Sequence, residues 1–193
     1  MAAPRSRTVA ILASGPSMCP ADADLIRDWR NGTDRLALAI NNTAELAPWA
    51  DIIYACDHRW WAANYDWVSK TGAALWAWAD DACAEFGLNK ADLKETGGNS
   101  GYQALRLMIT KFNATRIILL GYDMKLTGGM SHWHGDHPKG WPQLGNTKDW
   151  RMHLSALADE FPNIEIINCS RETALECFPR MDLEDALCAV SPS

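Results

Sequence analysis

Short apolar runs alternate along the chain with polar turns and with stretches of helical periodicity. Each run is rich in aliphatic side chains and stops abruptly at small or polar residues, a pattern typical of buried strands. The runs are Thr8–Ala13, Arg35–Ile40, Asp51–Cys56, Ala73–Ala79, Arg116–Leu120 and Glu165–Asn168. The pattern therefore predicts a strand at each of these positions.

Helical periodicity fills several of the connections. Asn99–Asn113 is the clearest case, because its apolar residues recur at helical spacing behind an Asn-Ser start suited to N-capping. Further helices are predicted over Asp22–Trp29, around Lys148–Glu160 and over Glu172–Phe178. Strands that alternate with helices over one domain length predict an α/β fold, a three-layer sandwich with a mainly parallel sheet between helices.

Size and composition fit one domain and exclude several classes of protein. The chain has 193 residues, of which 48% are hydrophobic and 22% charged, so we expect a single domain over residues 1–193. No apolar stretch approaches the length of about 18 residues that a membrane span requires. The run Thr8–Ala13 is also too short for a signal sequence. We therefore expect a cytoplasmic protein.

Charge, cysteine content and tryptophan content each bear on what the protein can bind or form. The formal net charge is −6 and the Lys and Arg residues are scattered, so strong non-specific binding to nucleic-acid phosphates lacks its usual source of energy. The six cysteines have wide spacings without a CxxC pair, as expected of reduced thiols rather than a disulfide framework. Ten tryptophans are the compositional excess; some must pack in the core and others can stack on a flat ligand.

The loops that follow the predicted strands are small, polar and kinked. In open parallel sheets, ligands lie beyond the carboxyl ends of the strands, near the point where the strand order reverses. The loops in question are Ser14–Ser17, Asn41–Thr43, Asp57–Arg59 and Gly121–Asp123. We expect them to share one cleft.

The tetrapeptide of Ser14, Gly15, Pro16 and Ser17 joins a predicted strand to a predicted helix. Gly15 would let the backbone approach a ligand, and Pro16 fixes φ near a helix start. Unpaired N–H groups, with the Ser hydroxyls, can then face an anion. An ordinary capped turn is the alternative. Neither the GxGxxG nor the GxxxxGK[ST] pattern is present, which disfavours the standard dinucleotide and P-loop sites.

A second glycine-rich loop, Gly97–Gly101, opens the long helix. Backbone amides at a helix start carry partial positive charge, so Asn99, Ser100 and Gly101 are candidates for a second phosphate contact. Together the two loops would clamp a diphosphate or a nucleotide. A flexible loop with a helix cap is the alternative.

Three further polar residues follow predicted strands. Asn41 and Asn42 offer donors and acceptors without a charge, which suits a ribose, a base or a phosphate, although Asx turns use the same residues. Asp123 stands at the tip of a buried strand, where folding rarely needs a carboxylate. We therefore favour a ligand-binding or orienting role for Asp123.

The densest group of titratable residues runs from His132 to His137. Its HxHxDH pattern resembles the one with which the metallo-β-lactamase superfamily holds zinc, and imidazoles with a carboxylate can bind a metal. That family needs further ligands downstream, whereas the only later histidine here is His153. We favour a histidine of this loop as a catalytic base or phosphate contact, because imidazole titrates near neutral pH. A zinc hydrolase and a loop without chemistry are the alternatives.

Several segments, read in order, resemble those of bacterial sialyltransferases that use CMP-sialic acid, of the related DUF115 proteins and of short phage-encoded homologues. The segments are ILASGPSM, AINNT, GGNSGYQALRLMITKFNATRIILLGYDM, SHWHGDH and INCSRETALECF. The resemblance covers most of the chain. It implies a Rossmann-like α/β fold, a small-molecule nucleotide ligand and a protein of the cytoplasm of a bacterium or a phage-infected host cell.

The resemblance also implies roles for individual residues. In those families the GPS loop contacts the nucleotide phosphates, a role that would fall on Gly15–Ser17. An asparagine after the second strand contacts the nucleotide sugar, which corresponds to Asn41 or Asn42. Asn99–Gly101 match the second ligand loop, and Asp123 matches the aspartate of a G-x-D motif.

The catalytic base is left open by the resemblance. In the sialyltransferases a histidine that ends an S-H-x-x-G-H string is the proposed general base; here that place falls on Asp136, with His137 adjacent and His134 as a further alternative. The tyrosines that assist the leaving phosphate are missing from Met124–Met130. Related archaeal DUF115 proteins are similar to pyrophosphokinases that act on a pterin, so one nucleotide site supports different chemistry.

We predict a transferase-like protein that binds a nucleotide or nucleotide-sugar, with a CMP-sugar favoured, and transfers the glycosyl group to an acceptor hydroxyl without a metal ion. The first alternative is a non-catalytic nucleotide-binding or sequestering phage protein. The second is a zinc-dependent hydrolase that uses the HxHxDH string. The acceptor and the oligomeric state are left open.

Overall fold

Seven parallel strands form one sheet in the computed structural model, which describes residues 7–135 and 145–189. The strands are β1 (Thr8–Leu12), β2 (Arg35–Ile40), β3 (Ile52–Ala55), β4 (Ala74–Ala77), β5 (Asn89–Lys90), β6 (Arg116–Leu120) and β7 (Glu165–Asn168). The helices are α1 (Pro20–Trp29), α2 (His58–Val68), α3 (Asp80–Phe86), α4 (Ser100–Thr110), α5 (Thr147–Glu160) and α6 (Leu183–Cys188), and a 3-10 helix covers Asn41–Glu45. None of the helices in the described ranges combines the length and the apolar character needed to cross a bilayer.

The predicted strands are confirmed. β2, β6 and β7 have the predicted bounds, and β1, β3 and β4 are slightly shorter than predicted. The sheet is parallel in all of its strand pairs rather than mainly parallel. Helices α2, α3 and α6, the 3-10 helix and strand β5 lie outside the predicted set.

The helix predicted over Glu172–Phe178 is wrong. This segment is held against the loop after β6, where the Ala174 N–H donates to the Asp123 carbonyl and the Thr173 hydroxyl donates to the Tyr122 carbonyl, each at 2.7 Å. The segment therefore makes hydrogen bonds to the loop after β6 instead of forming a helix. Tertiary contacts therefore override its local helical preference.

Two apolar cores lie on opposite faces of the sheet. Successive residues of a strand point to opposite faces, so Val9 and Ile11 join one core while Ala10 and Leu12 join the other. Helices α4 and α5 cover the first core. Helices α1, α2, α3 and α6 cover the second. The fold is therefore a Rossmann-like three-layer α/β sandwich.

The strand order is β5-β4-β3-β2-β1-β6-β7. The chain builds the sheet outward from β1 to β5 and then returns through α4 to add β6 on the other side of β1. The connections that leave β1 and β6 therefore run in opposite directions. Such a reversal leaves a crevice beyond the carboxyl ends of the two strands, and this crevice is where open α/β sheets bind ligands.

An ion pair joins α4 to α5. The buried guanidinium of Arg106 donates to both carboxylate oxygens of Glu160, at 2.7 and 2.8 Å, and to the Tyr102 hydroxyl at 3.2 Å. The hydrogen bonds from Arg106 lower the pKa of Glu160 below its ordinary value. The pair fixes the relative position of the two helices on this face.

Replacing Glu160 by glutamine should flatten the acid dependence of stability. Because the folded-state pKa of Glu160 lies below its unfolded value, the stabilisation is complete above the unfolded value of about 4.3 and is lost as the pH falls through the folded value. Urea denaturation at neutral pH and at steps below about pH 4.3 measures this loss. If the wild type and the Glu160→Gln variant lost equal unfolding free energy on acidification, the lowered pKa of Glu160 would be contradicted.

Candidate functional site

A cavity of about 220 Å³ opens at the crevice between β1 and β6. Its walls come from the loops after β1, β2 and β6, from the N-terminus of α4 and from the first turn of α5. Ser131 and His132 line a further side of the cavity. They lie at the start of the segment 131–137, here called the histidine loop. The cavity lies at the place that the strand order predicts for a ligand site.

Most of the residues predicted from the sequence line this cavity. They are Ser14, Gly15, Pro16, Asn41, Asn99, Ser100, Gly101 and Asp123. Ser17, Asn42 and His134 are not among the lining residues. Asp136 and His137, the other two candidates for catalysis, lie outside the described residues. The two glycine-containing loops thus meet in one cleft.

The loop after β1 is fastened to the loop after β6. The Gly15 N–H donates to the Gly121 carbonyl at 2.9 Å. The N–H and the hydroxyl of Ser17 donate to the Asp123 carboxylate at 2.9 and 2.7 Å. Pro16 has no N–H. Gly15, Pro16 and Ser17 therefore offer no unpaired amide to an anion, which differs from the expectation based on the tetrapeptide.

Gly15 is required by the packing of these two loops. A Cβ atom at this position would overlap the Gly121 carbonyl oxygen and the Asp123 carboxylate. From the sequence, Gly15 is expected to let the backbone approach a ligand. In the structure, the lack of a side chain at Gly15 lets the backbone of Gly121 pack against it. This contact sets the shape of the cavity floor.

Asp123 is buried and joins the loop after β1 to the loop after β6. Its carboxylate accepts the two bonds from Ser17 and a third from the Thr127 hydroxyl at 3.0 Å. Burial raises the pKa of Asp123, while the hydrogen bonds from Ser17 and Thr127 oppose this increase. From the sequence, Asp123 is expected either to bind a ligand or to orient its neighbours. These contacts account for the orienting role.

Replacing Asp123 by asparagine should lower the free energy of unfolding by about 2–3 kcal/mol. An amide has a single acceptor oxygen and turns an NH₂ group towards one of the donors, so a buried donor loses its acceptor. Urea denaturation measures the change. Asp92→Asn, at an exposed carboxylate, is the control and should shift stability by less than about 0.5 kcal/mol. Similar losses in both variants would argue against the orienting role.

The N-terminus of α4 lines the cavity and has unpaired amides. Asn99 caps the helix, and its side-chain oxygen accepts from the Tyr102 N–H at 2.8 Å. Among the residues that the structure describes, the N–H groups of Ser14, Ser100 and Gly101 donate to no acceptor. Amides in the first turn of a helix carry the positive end of its dipole and favour an anion.

Asn41 combines an uncommon backbone conformation with an unsatisfied side chain. Its φ is 50°, in the left-handed region, where non-glycine residues are rare and asparagine is enriched. Its side-chain oxygen is buried and has no hydrogen-bond partner within the described ranges. A ligand that donates a hydrogen bond would satisfy it. Asn42, in contrast, accepts from the Trp60 indole at 2.7 Å and so contacts α2.

The histidine loop is fastened by Trp133. The Trp133 N–H donates to the Ser14 carbonyl at 3.1 Å, and its indole donates to the Thr43 hydroxyl at 3.3 Å. This arrangement places His132 on the cavity wall, with the ring of His134 stacked on it at 5.1 Å between centroids. His132 is not among the catalytic candidates predicted from the sequence. A loop has no periodic pattern, so the sequence does not show which of its residues faces a cleft.

Lys125 and Trp150 add a cation and an aromatic ring to the cavity wall. The Lys125 ammonium pairs with Glu172 at 2.7 Å in a largely exposed ion pair, which water screens. Trp150 belongs to the first turn of α5, and its ring gives a nucleobase a surface for stacking. Among the described lining residues there is no arginine, so Lys125 and the amides have to balance the charge of an anionic ligand.

Metal ligands do not cluster in the described residues. Within residues 7–135 and 145–189, no group of three His, Cys, Asp or Glu side chains lies close enough to hold a metal ion. The HxHxDH string continues beyond these ranges at Asp136 and His137. The zinc-hydrolase alternative therefore rests on the sequence pattern alone.

Comparison with known proteins shows similarity in structure only. No protein-family model matches the chain, and a search of curated proteins returns no match. A crystal structure of a protein from Lactobacillus plantarum is similar to 81% of this chain, with a TM-score of 0.39 and 16% identity. The match spans 54% of that protein, so the chain covers about half the length of its neighbour.

Proposed function

We propose that the chain binds a nucleotide or a nucleotide-sugar, with a CMP-sugar favoured, and transfers the glycosyl group to an acceptor hydroxyl. The cavity between β1 and β6 is the proposed nucleotide site. The phosphate is bound by backbone amides and the nucleoside by side chains. The proposal includes no metal ion.

One observation carries the proposal: Ser100, Gly101 and Asn41 line the same cavity. Within the described residues, the N–H groups of Ser100 and Gly101 are unpaired and the buried side-chain oxygen of Asn41 has no partner. A phosphate fits the amides at the positive end of α4. A sugar hydroxyl or a base amine supplies the hydrogen bond that Asn41 lacks. Trp150 offers a stacking surface on the same wall. A nucleotide has all three of these chemical features.

Glycosyl transfer at this site forms one bond and breaks one bond at the anomeric carbon. The acceptor oxygen forms a bond to the anomeric carbon, the bond from that carbon to the phosphate oxygen breaks, and the electron pair leaves with the nucleotide. The hydroxyl proton passes to a histidine of the 132–137 loop, where His132 lines the cavity and His137 or His134 is the base expected from the sequence. The amides of α4 stabilise the charge on the leaving phosphate.

The resemblance to CMP-sialic-acid-dependent sialyltransferases and DUF115 proteins supports the choice of ligand. The segments that carry it include residues from the loops after β1, β2 and β6 and from the start of α4, and these regions contribute to one cavity. The lack of tyrosine in Met124–Met130 is a departure from the sialyltransferases. For this reason the proposal names a glycosyl group rather than sialic acid.

Thermal-shift measurements across nucleotides and nucleotide-sugars test the proposal. A ligand that binds the folded state raises the free energy of unfolding by mass action, by about 2.7 kcal/mol at a concentration 100 times Kd. We expect CMP and CMP-sugars to raise Tm more than the uridine, guanosine and adenosine series. The absence of a shift with every nucleotide, repeated by isothermal titration, would contradict the proposal.

Nucleotide binding without turnover is the second function to consider. It is favoured by the pairing of Lys125 with Glu172 and by the use of the Gly15 and Ser17 amides within the protein, which leave few groups to stabilise a leaving phosphate. Incubation with a CMP-sugar labelled in the glycosyl group separates the two functions. Tight binding with no release of CMP and no labelled product would favour a sequestering protein.

A further inference from the structure

A second cavity, of about 420 Å³, lies beside the proposed nucleotide site. It is lined by the segment 93–98, by Trp78 after β4 and by His153 of α5. Gly98 lines both cavities. The backbone at Gly98 is therefore a wall that the two cavities share.

The shared wall is held in place by the first turn of α4. Gly97 has a φ of 55°, and a Cβ atom there would overlap the Tyr102 ring. The Tyr102 hydroxyl donates to the Glu95 carboxylate at 3.2 Å, on the side of the second cavity. Ser100 and Gly101, whose amides line the first cavity, belong to the same turn. One helix start thus shapes both cavities.

Trp78 gives the second cavity a flat apolar surface. Its side chain is 42% exposed, and the Lys90 ammonium lies over the ring at 5.4 Å from the centroid. This cation–π contact orients the indole. Four residues that can donate or accept hydrogen bonds line the same cavity, namely Lys94, Glu95, Thr96 and His153.

An exposed aromatic ring in a cavity that polar residues also line matches the chemistry of a sugar ring. A pyranose has an apolar C–H face that packs on an aromatic ring, while its hydroxyl groups pair with donors and acceptors at the rim. The first cavity falls below the range of about 300–1,000 Å³ that encloses a drug-sized ligand, so two substrates need additional room.

We infer that the second cavity binds the sugar ring of a saccharide acceptor, packed on Trp78 and adjacent to the nucleotide site across Gly98. The inference rests on the proposed function, because it assigns the second substrate of the same transfer reaction. The substrate class is a neutral saccharide, and Trp78 is the residue that selects it.

NMR spectroscopy of the tryptophan indole groups in the full chain tests this site. The Trp78 signal is assigned by its loss in Trp78→Phe. The probes are the methyl glycosides of glucose, galactose, N-acetylglucosamine and lactose, added to protein saturated with CMP. We expect at least one glycoside to shift the Trp78 signal saturably, with a Kd of roughly millimolar, while CMP stays bound.

Variants separate stacking from a general effect on the fold. Trp78→Ala should weaken the bound glycoside about tenfold or more and leave the affinity for CMP unchanged, whereas Trp78→Phe, which keeps a ring, should bind it within about threefold of wild type. Trp49 is the matched control. It is partly exposed with the Arg30 guanidinium over its ring at 5.5 Å, and it lines neither cavity. Trp49→Ala should leave glycoside binding intact.

The outcomes distinguish this inference from the proposed function. If CMP binds and none of the four glycosides shifts the Trp78 signal, the saccharide site is overturned and the nucleotide site stands. If a glycoside binds at Trp78 and no nucleotide binds, the saccharide site is supported and the transferase is overturned. Displacement of the glycoside by a CMP-sugar, but not by CMP, would assign the cavity to the donor and overturn the acceptor role.

Discussion

Replacing Ser100 by proline should weaken nucleotide binding roughly 10–100-fold, because it removes one N–H from the cavity. A hydrogen bond to a charged group contributes about 1.5–3 kcal/mol, and about 1.4 kcal/mol corresponds to a tenfold change in Kd. Ser100 is the first residue of α4, the position at which a helix accepts proline best. Asn99 before it is extended, with φ −156° and ψ 154°, as a following proline requires.

Ser100→Ala is the matched control for this experiment. Alanine keeps the N–H and removes only the hydroxyl, which contacts the Cys56 sulfur at 3.1 Å. Isothermal titration with CMP should give the alanine variant an affinity within about threefold of wild type. Thermal unfolding shows whether both variants remain folded. A folded proline variant with wild-type affinity would mean that this amide does not touch the ligand, and the proposed phosphate position would be wrong.

Replacing Gly15 by alanine should destabilise the fold by about 3 kcal/mol, the upper part of the range for overpacked sites. The new Cβ would overlap the Gly121 carbonyl and the Asp123 carboxylate, so the loops after β1 and β6 would have to separate. Separation would also break the Gly15–Gly121 hydrogen bond of 2.9 Å. Urea denaturation measures the loss, and nucleotide binding should weaken with it.

Ser14→Ala provides the comparison for Gly15→Ala in the same loop. The Ser14 hydroxyl has contacts of 3.1 Å to the Thr43 hydroxyl and 3.4 Å to the Ile40 carbonyl, so its removal should cost less than about 1 kcal/mol. If Gly15→Ala is as stable as Ser14→Ala, the two loops can move apart freely, and the close packing described for the cavity floor does not hold.

The sheet could be predicted from the sequence where its strands are buried on both faces. Arg116–Leu120 is buried at every position and is bounded by polar and glycine residues, so its bounds are visible in the sequence. β5 has only two residues, too few for any periodic pattern. In α3, a single small residue, Ala82, is buried. Elements that bury so little leave no hydrophobic periodicity to read.

The position of the site follows from the same topology, but its internal contacts do not. Parallel strands bring their carboxyl ends to one edge, so the loops at Gly15, Asn41 and Asp123 had to lie near each other. The sequence carries no sign that the Ser17 amide is taken by Asp123, because that pairing joins residues far apart in the chain. Likewise, the exposure of Trp78 depends on packing around a strand end and has no local pattern.

The interior position of β1 in the sheet has a consequence for synthesis of the chain on the ribosome. β1 pairs with β2 early in the sequence, but its other edge pairs with β6, about a hundred residues later. Until β6 emerges, an apolar strand with unpaired backbone groups stays open to other chains, a template for aggregation. We therefore expect nascent chains that stop before residue 116 to depend on chaperones, and the cavity between β1 and β6 to form only in the last stage of folding.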